Sequence, residues 1–191
     1  TDGTLQIAEQ VGDCRIVERE FVSYANFKNW AIPQARHPWV LIMDADERIT
    51  PELAAEIRQA LAAPPQHLDG YWISFQSYFM GHRLKYSGYN SAAFRLFRRD
   101  RCRYGERRVH EEIEVDPARA GRLRDKFKHY SFWSYDQYFA KYVRYTLMGA
   151  EERWTRGKRA SFSSLLLRPA LRFLHLYLLR GGFLDGLPGL K

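Results

Sequence analysis

Between residues 39 and 48 the chain runs through Trp39-Val40-Leu41-Ile42-Met43 and straight into Asp44-Ala45-Asp46-Glu47-Arg48. An apolar run of β-branched and long aliphatic residues reads as a strand buried on both faces. Open α/β sheets bind ligands beyond the carboxyl ends of their strands, so such a strand ending in three carboxylates aims them at the expected site. Asp44 and Asp46 are two apart, and on an extended backbone both project to one side. Paired hard oxygen ligands can hold Mg²⁺ or Mn²⁺, with a substrate's phosphates completing the shell. The bland alternative is a solvated acidic turn before a helix. A bare Asp-x-Asp is short enough that this alternative is the commoner one, and the rest of the chain must decide.

Size and charge narrow the field. The 191 residues fit one domain, or one domain with an appendage, and 46 % hydrophobic residues can supply a core. A formal net charge of +8 calls for an anionic partner: nucleotide phosphates, nucleic acid or an acidic lipid surface. Cys14 and Cys102 are too few for a disulfide framework and lack metal-ligand spacing, which suits a reducing compartment. The start Thr1-Asp2-Gly3-Thr4 has no initiator Met and reads as the middle of a turn, so an N-terminal truncation is expected.

Taken in order, Thr4 to Val11 is a helix stopped by Gly12, and Cys14 to Val17 a short strand. Tyr24 to Ala35 is helical, with Pro33 bending it or sitting in a first turn. With the acidic strand, this alternation favours parallel pairing. Thr50-Pro51-Glu52 opens a helix with an N-cap, a first-turn proline and an acid at the positive dipole end; Pro64-Pro65 closes it. Gly70 to Phe79 alternates as a half-buried strand, and Ala92 to Phe97 is another, opening a basic tract from Arg95 to Arg108. In Arg108 to Val115, Glu111 shares the phase of Val109, Ile113 and Val115. A carboxylate on the apolar side of a strand is disfavoured unless paired or functional, so Glu111 is the acid to watch, against an irregular strand with Glu111 in water.

Phe127 to Ser131 follows a turn at Gly121, and Ser134 with Gln137 makes a capping-box pattern for a helix to about Trp154. Leu165 to Leu179 is Leu-rich almost all round, with Arg168, Arg172 and His175 on one stripe and Pro169 starting or kinking it. That run falls short of the roughly 20 residues that span a bilayer. A basic stripe on so apolar a helix suits the membrane interface, with burial against the globular part as the alternative.

These residues, in this order, resemble the inverting family 2 glycosyltransferases of GT-A fold. The likeness lies in Thr1-Asp2-Gly3-Thr4, Lys28-Asn29-Trp30-Ala31, Trp39 to Arg48 and Thr50-Pro51-Glu52-Leu53. Phe94-Arg95-Leu96-Phe97-Arg98, Val109-His110-Glu111, His129-Tyr130-Ser131 and Arg180 to Gly186 are similar to the bacterial branch containing lipopolysaccharide core β-glucosyltransferases. The resemblance implies an α/β fold, a Rossmann-like mixed sheet flanked by helices and missing its first strands. It implies a transferase domain over 1–132 and a helical, interfacial region over 133–191. The implied activity moves a sugar, with inversion, from a nucleotide-diphosphate donor (often a uridine diphosphate sugar) to a hydroxyl of a glycolipid or saccharide. Cell-envelope glycan synthesis at the cytoplasmic side of the inner membrane, as a peripheral protein, follows from the same likeness.

The resemblance also assigns roles. Asp46 matches a direct ligand of a divalent cation (Mg or Mn), with Asp44 beside it and His129 near the metal or diphosphate. As a lone histidine, His129 could equally be a hydrogen-bonding core residue. Glu111 matches the general base, with Glu112 as its unexcluded neighbour, and Lys28, Asp44 and Arg95 match donor contacts. The family's first strands and nucleoside-binding Asp precede the first residue here, so the polypeptide as it stands is expected to bind donor poorly. Rival readings are a basic nucleic-acid-binding protein, a metal-dependent phosphotransferase or nuclease, and an inactive membrane-associated remnant. The first leaves Asp44-Ala45-Asp46-Glu47 and the Leu-rich tail unexplained and lacks nucleic-acid recognition motifs, so no nucleic-acid partner is expected.

Overall fold

The computed structural model describes residues 3–86, 90–105 and 112–190. Helix α1 (Thr4–Val11) ends at Gly12, whose φ of 73° is a backbone conformation that glycine allows. Helix α2 (Tyr24–Ala31) is capped by the Ser23 side chain and runs into a 3₁₀ turn, Ile32–Gln34, that absorbs Pro33. Strand β1 (Trp39–Leu41) and the short β2 (Glu47–Arg48) flank the acids. Helix α3 (Pro51–Ala62) starts where Thr50 accepts a hydrogen bond from Leu53 N, as its capping sequence predicts.

Strands β3 (Gly70–Phe79), β4 (His82–Arg83), β5 (Ala92–Arg98) and β6 (Ala120–Phe132) complete a six-stranded sheet ordered β1-β5-β3-β6-β2, with β4 paired to β3. The β3–β6 ladder is parallel and the others are antiparallel, so this is a mixed sheet flanked by helices, of GT-A type. Each face has its own core. Ile32 and Ala25 pack with Val40, Phe94, Phe97, Tyr104 and Ile113; on the other side Leu53 packs with Tyr71, Ile73, Phe75, Leu96, Leu123 and Phe127.

Three sequence expectations change. Cys14 to Val17 forms no strand: its residues are exposed and pair with no neighbour in the sheet. The parallel pair is not β1 with a neighbour, since β1 runs antiparallel to β5. Gly121 is not a turn. It lies in β6 beside Tyr71, whose ring a Cβ there would meet at 2.6 Å, so glycine serves close approach rather than reversal.

The β3–β5 register slips between Tyr71 and Trp72: Leu96 faces Tyr71 and Phe94 faces Trp72, leaving Arg95 as the extra residue of a bulge. That slip sends Phe94 and Leu96 into opposite cores.

Beyond the sheet, helix α4 (Tyr135–Thr155) is capped by Ser134 and docks through Tyr138 on Phe79 and Phe132, with ring centroids 5.7 and 5.1 Å apart. Helix α5 (Phe162–Leu174) opens with a reciprocal Ser161–Ser164 capping box, contains Pro169 in its interior, and continues as a π-helical turn over His175–Leu179. The chain then returns to the body, where the Asp185 carboxylate accepts from the backbone N–H groups of Lys85 and Tyr86 at 2.8 and 2.9 Å. Among the described residues, no helix is long and apolar enough to cross a membrane.

Candidate active site

Residues 44–47 form a tight turn rather than an extended strand end. Glu47 N donates to Asp44 O at 3.0 Å, and the Glu47 carboxylate accepts from Asp44 N at 2.9 Å, closing the loop from both directions. The turn overturns the expectation that Asp44 and Asp46 project together as strand residues. Each carboxylate instead meets its own set of cations.

Asp44 faces Arg95, whose guanidinium lies 2.7 Å away, and Lys28 at 3.6 Å. The same Arg95 nitrogen sits 2.6 Å from Glu47, so the bulged β5 residue clamps both ends of the acidic turn. Arg95 is 8 % exposed and Glu47 6 %, which makes this a buried ion pair with a half-exposed third member. Burial resists ionisation of Asp44, but Arg95 and Lys28 outweigh it and hold the carboxyl below its ordinary value. For Glu47 burial wins over Arg95, and the carboxyl is raised. Arg95 Nε is buried without a hydrogen-bond partner among the described residues.

Lys28 is held in place by its neighbour. Asn29 exchanges two 2.9 Å hydrogen bonds with the backbone of Tyr104, pinning α2 to the loop after β5. The Lys28 ammonium consequently lies 5.1 Å from the centroid of the Tyr104 ring. Burial pushes the Tyr104 hydroxyl up to about 12, keeping it a neutral donor.

Asp46 looks the other way. Its backbone carbonyl accepts from Tyr130 N at 2.8 Å, and the β2–β6 ladder sets His129 directly opposite Glu47. His129 Nε2 then lies 3.3 Å from Asp46 Oδ2, and Lys141 of α4 approaches the same oxygen at 3.9 Å. Burial again resists ionisation, but His129 and Lys141 hold the Asp46 carboxyl below its usual value.

The donor set fits a divalent cation in part. Two ligands with bonds of about 2.1 Å to one ion, set at tetrahedral to octahedral angles, stand about 3.0–3.4 Å apart, and the Asp46–His129 separation falls within that range. Asp44 is already neutralised by two cations, and the described residues contain no cluster of three His, Cys, Asp or Glu arranged to hold a metal. Asp46 and His129 are thus the residues able to hold an ion here, with most of its positions left to water or phosphate oxygens.

Between Lys28, Arg95, Tyr104, Trp72 and Ile113 lies a cavity of about 110 Å³, and Glu112 lines it too. Glu111 lies outside the described residues. Lys28, Asp44 and Arg95 thus come together in one group, and Asp46 with His129 in an adjoining one. Sequence reasoning left Glu47, Tyr104 and Lys141 without roles. The sequence counts Glu47 among the acids aimed at the site but does not mark it as the partner of Arg95; nothing local marks Lys141, whose place depends on the path of α4.

Comparison with known proteins gives the family. Residues 1–131 match the family model described as Glycosyl transferase family 2. The whole chain is similar to a lipopolysaccharide core biosynthesis glycosyltransferase, LpsC, of Rhizobium meliloti: 30 % identity over 199 residues, covering 99 % of this chain and 72 % of that protein. It is also similar to uncharacterized glycosyltransferases of Rickettsia bellii and Rickettsia felis, each 26 % identical over 99 % of this chain and covering 67 % and 70 % of those proteins.

Proposed function

The chain belongs to glycosyl transferase family 2, and from that premise we propose that it transfers a sugar, with inversion, from a nucleoside diphosphate donor to a hydroxyl of a glycolipid or saccharide. The donor is proposed to be a uridine diphosphate sugar. The likeness to a lipopolysaccharide core biosynthesis enzyme supports a cell-envelope glycan as the acceptor. We place the protein at the cytoplasmic face of the inner membrane as a peripheral protein, with a transferase unit over 1–132 and a membrane-facing helical unit over 133–191.

The observation that carries this reading is the Asp46–His129 pair, 3.3 Å apart at the exit of β1 and next to the Arg95–Asp44–Lys28 group. Asp46 and His129, with Asp44 adjoining, are the proposed holders of Mg or Mn. A divalent cation there supplies positive charge against the negative charge that develops on the departing diphosphate. Lys28 and Arg95 add fixed cations beside it, and Arg95 also keeps Asp44 ionised and oriented. Lys141 brings an ammonium from α4 to the same oxygen of Asp46, where it can meet a diphosphate oxygen.

In the proposed step the acceptor oxygen attacks the anomeric carbon on the face opposite the diphosphate. The new C–O bond forms as the bond to the diphosphate oxygen breaks, and that bond's electron pair leaves with the nucleotide. The acceptor proton passes to a carboxylate, for which Glu111 is the candidate. Its sequence neighbour Glu112 lines the cavity shared by Lys28 and Arg95, which supports a carboxylate from this part of the sequence as the base.

Turnover of uridine diphosphate sugars by the full-length protein tests the assignment. Glu111→Gln is expected to lower kcat by about 10²- to 10⁴-fold, with KM for donor little changed, while Glu112→Gln stays within a few-fold of wild type. The reverse pattern would move the base to Glu112. Full activity in both variants would remove this carboxylate mechanism.

A further inference from the structure

The region after the sheet carries a feature that sugar transfer does not use. Helix α5 has no buried residue: Phe162, Leu165, Leu166, Leu167 and Leu171 are each exposed, and Leu179 in the following turn is 80 % exposed. So much exposed apolar side chain beside a basic stripe is not a stable surface in water, and contiguous exposed apolar area marks a contact. Beside it, α4 and α5 enclose a groove of about 1240 Å³ whose walls include Arg153, Lys158, Arg159 and Arg168, with Trp154 and Leu165 between them. The Arg159 guanidinium lies 5.6 Å from the Trp154 ring centroid.

Charge says what covers this surface. Between residues 153 and 180 stand seven of the chain's 30 Lys and Arg and none of its 22 Asp and Glu, so this segment carries seven of the eight net positive charges. A protein partner would need a dense acidic face together with a long apolar one. An anionic bilayer presents both at once, headgroup phosphates above acyl chains. Among the described residues no helix is long and apolar enough to span it, whereas an apolar helix edged with arginines fits the interfacial depth, its cationic side chains reaching up to the headgroups.

We propose that the α4–α5 groove and the exposed face of α5 form a docking surface for an anionic phospholipid bilayer, with Arg159 and Arg168 taking headgroup phosphates and α5 lying in the interface. The proposal rests on the peripheral-membrane part of the reading above and names its partner and residues; it does not depend on donor chemistry. The Asp185 clamp onto Lys85 and Tyr86 ties the tail to the body, so docking would fix how the acidic turn faces the membrane.

Vesicle co-sedimentation of the full-length protein tests it without any sugar donor. Vesicles of phosphatidylcholine doped with phosphatidylglycerol should capture at least ~10-fold more protein than phosphatidylcholine alone, with capture falling as salt is raised. Arg159→Gln with Arg168→Gln should weaken capture by about 30-fold, since each basic residue near such a surface is worth roughly fivefold. Donor hydrolysis in solution should be unchanged in this variant, which separates a failure here from a failure of the transferase reading. Leu166→Asp should remove the capture that survives high salt, with an unaltered circular dichroism spectrum. Equal capture by neutral and anionic vesicles would overturn the proposal. So would full competition by soluble glycerol phosphate, or a concentration-dependent dimer that Leu166→Asp dissolves without any vesicle binding.

Discussion

Arg95 is the residue on which the acidic turn depends. It stands at a β-bulge, and one guanidinium nitrogen serves Asp44 and Glu47 at 2.7 and 2.6 Å. Removing one partner of a buried pair costs more than the pair contributes, because the remaining charge is stranded in a poorly solvated place. Arg95→Met is therefore expected to lower stability by about 3–5 kcal/mol in urea unfolding. Adding Glu47→Leu should recover most of that loss. A single variant as stable as wild type would mean that Glu47 finds water or another cation. The sequence showed Arg95 as a cation suited to phosphate but not as the clamp of the turn. That role needs a register slip that no local propensity announces.

At the scale of elements, capping chemistry was the most legible part of the chain. Thr50-Pro51, Ser134 with Gln137, and the alternation of β3 each produce the element they promise. Cys14 to Val17 misled because β-branched residues favour a strand only when a sheet edge receives them. Gly121 misled because a glycine needed for contact with Tyr71 looks, in sequence, like a glycine needed for a turn. The motif from Arg180 to Gly186 was visible, but its work was not: Asp185 caps two backbone N–H groups about a hundred residues away in sequence. Gly181, at φ 71°, lets the chain reverse tightly enough to reach them. Asp185→Ala should speed amide exchange at Lys85 and Tyr86 and expose residues 175–190 to limited proteolysis, at a cost of about 1–3 kcal/mol. Unchanged exchange at both amides would show that the tail is held by its apolar contacts alone.

For the whole molecule, the candidate site draws on α2, the turn between β1 and β2, the β5 bulge, β6 and α4. Sequence could nominate Lys28, Asp44, Asp46, Arg95 and His129 singly. It could not sort them into an Arg95-clamped group and an Asp46–His129 pair, because that sorting depends on the 44–47 turn and on which strand His129 joins. The basic bias of residues 153–180 was legible in the sequence, and the fold sets four of those cations, Arg153, Lys158, Arg159 and Arg168, around one groove. In the proposed function Asp46 holds the ion that meets the donor's diphosphate. The most direct measurement is the rate of sugar transfer by the full-length protein carrying Asp46→Asn, followed across a Mn²⁺ titration. The account predicts a loss of at least ~100-fold that added Mn²⁺ relieves only weakly; a wild-type rate with a wild-type Mn²⁺ dependence would contradict it.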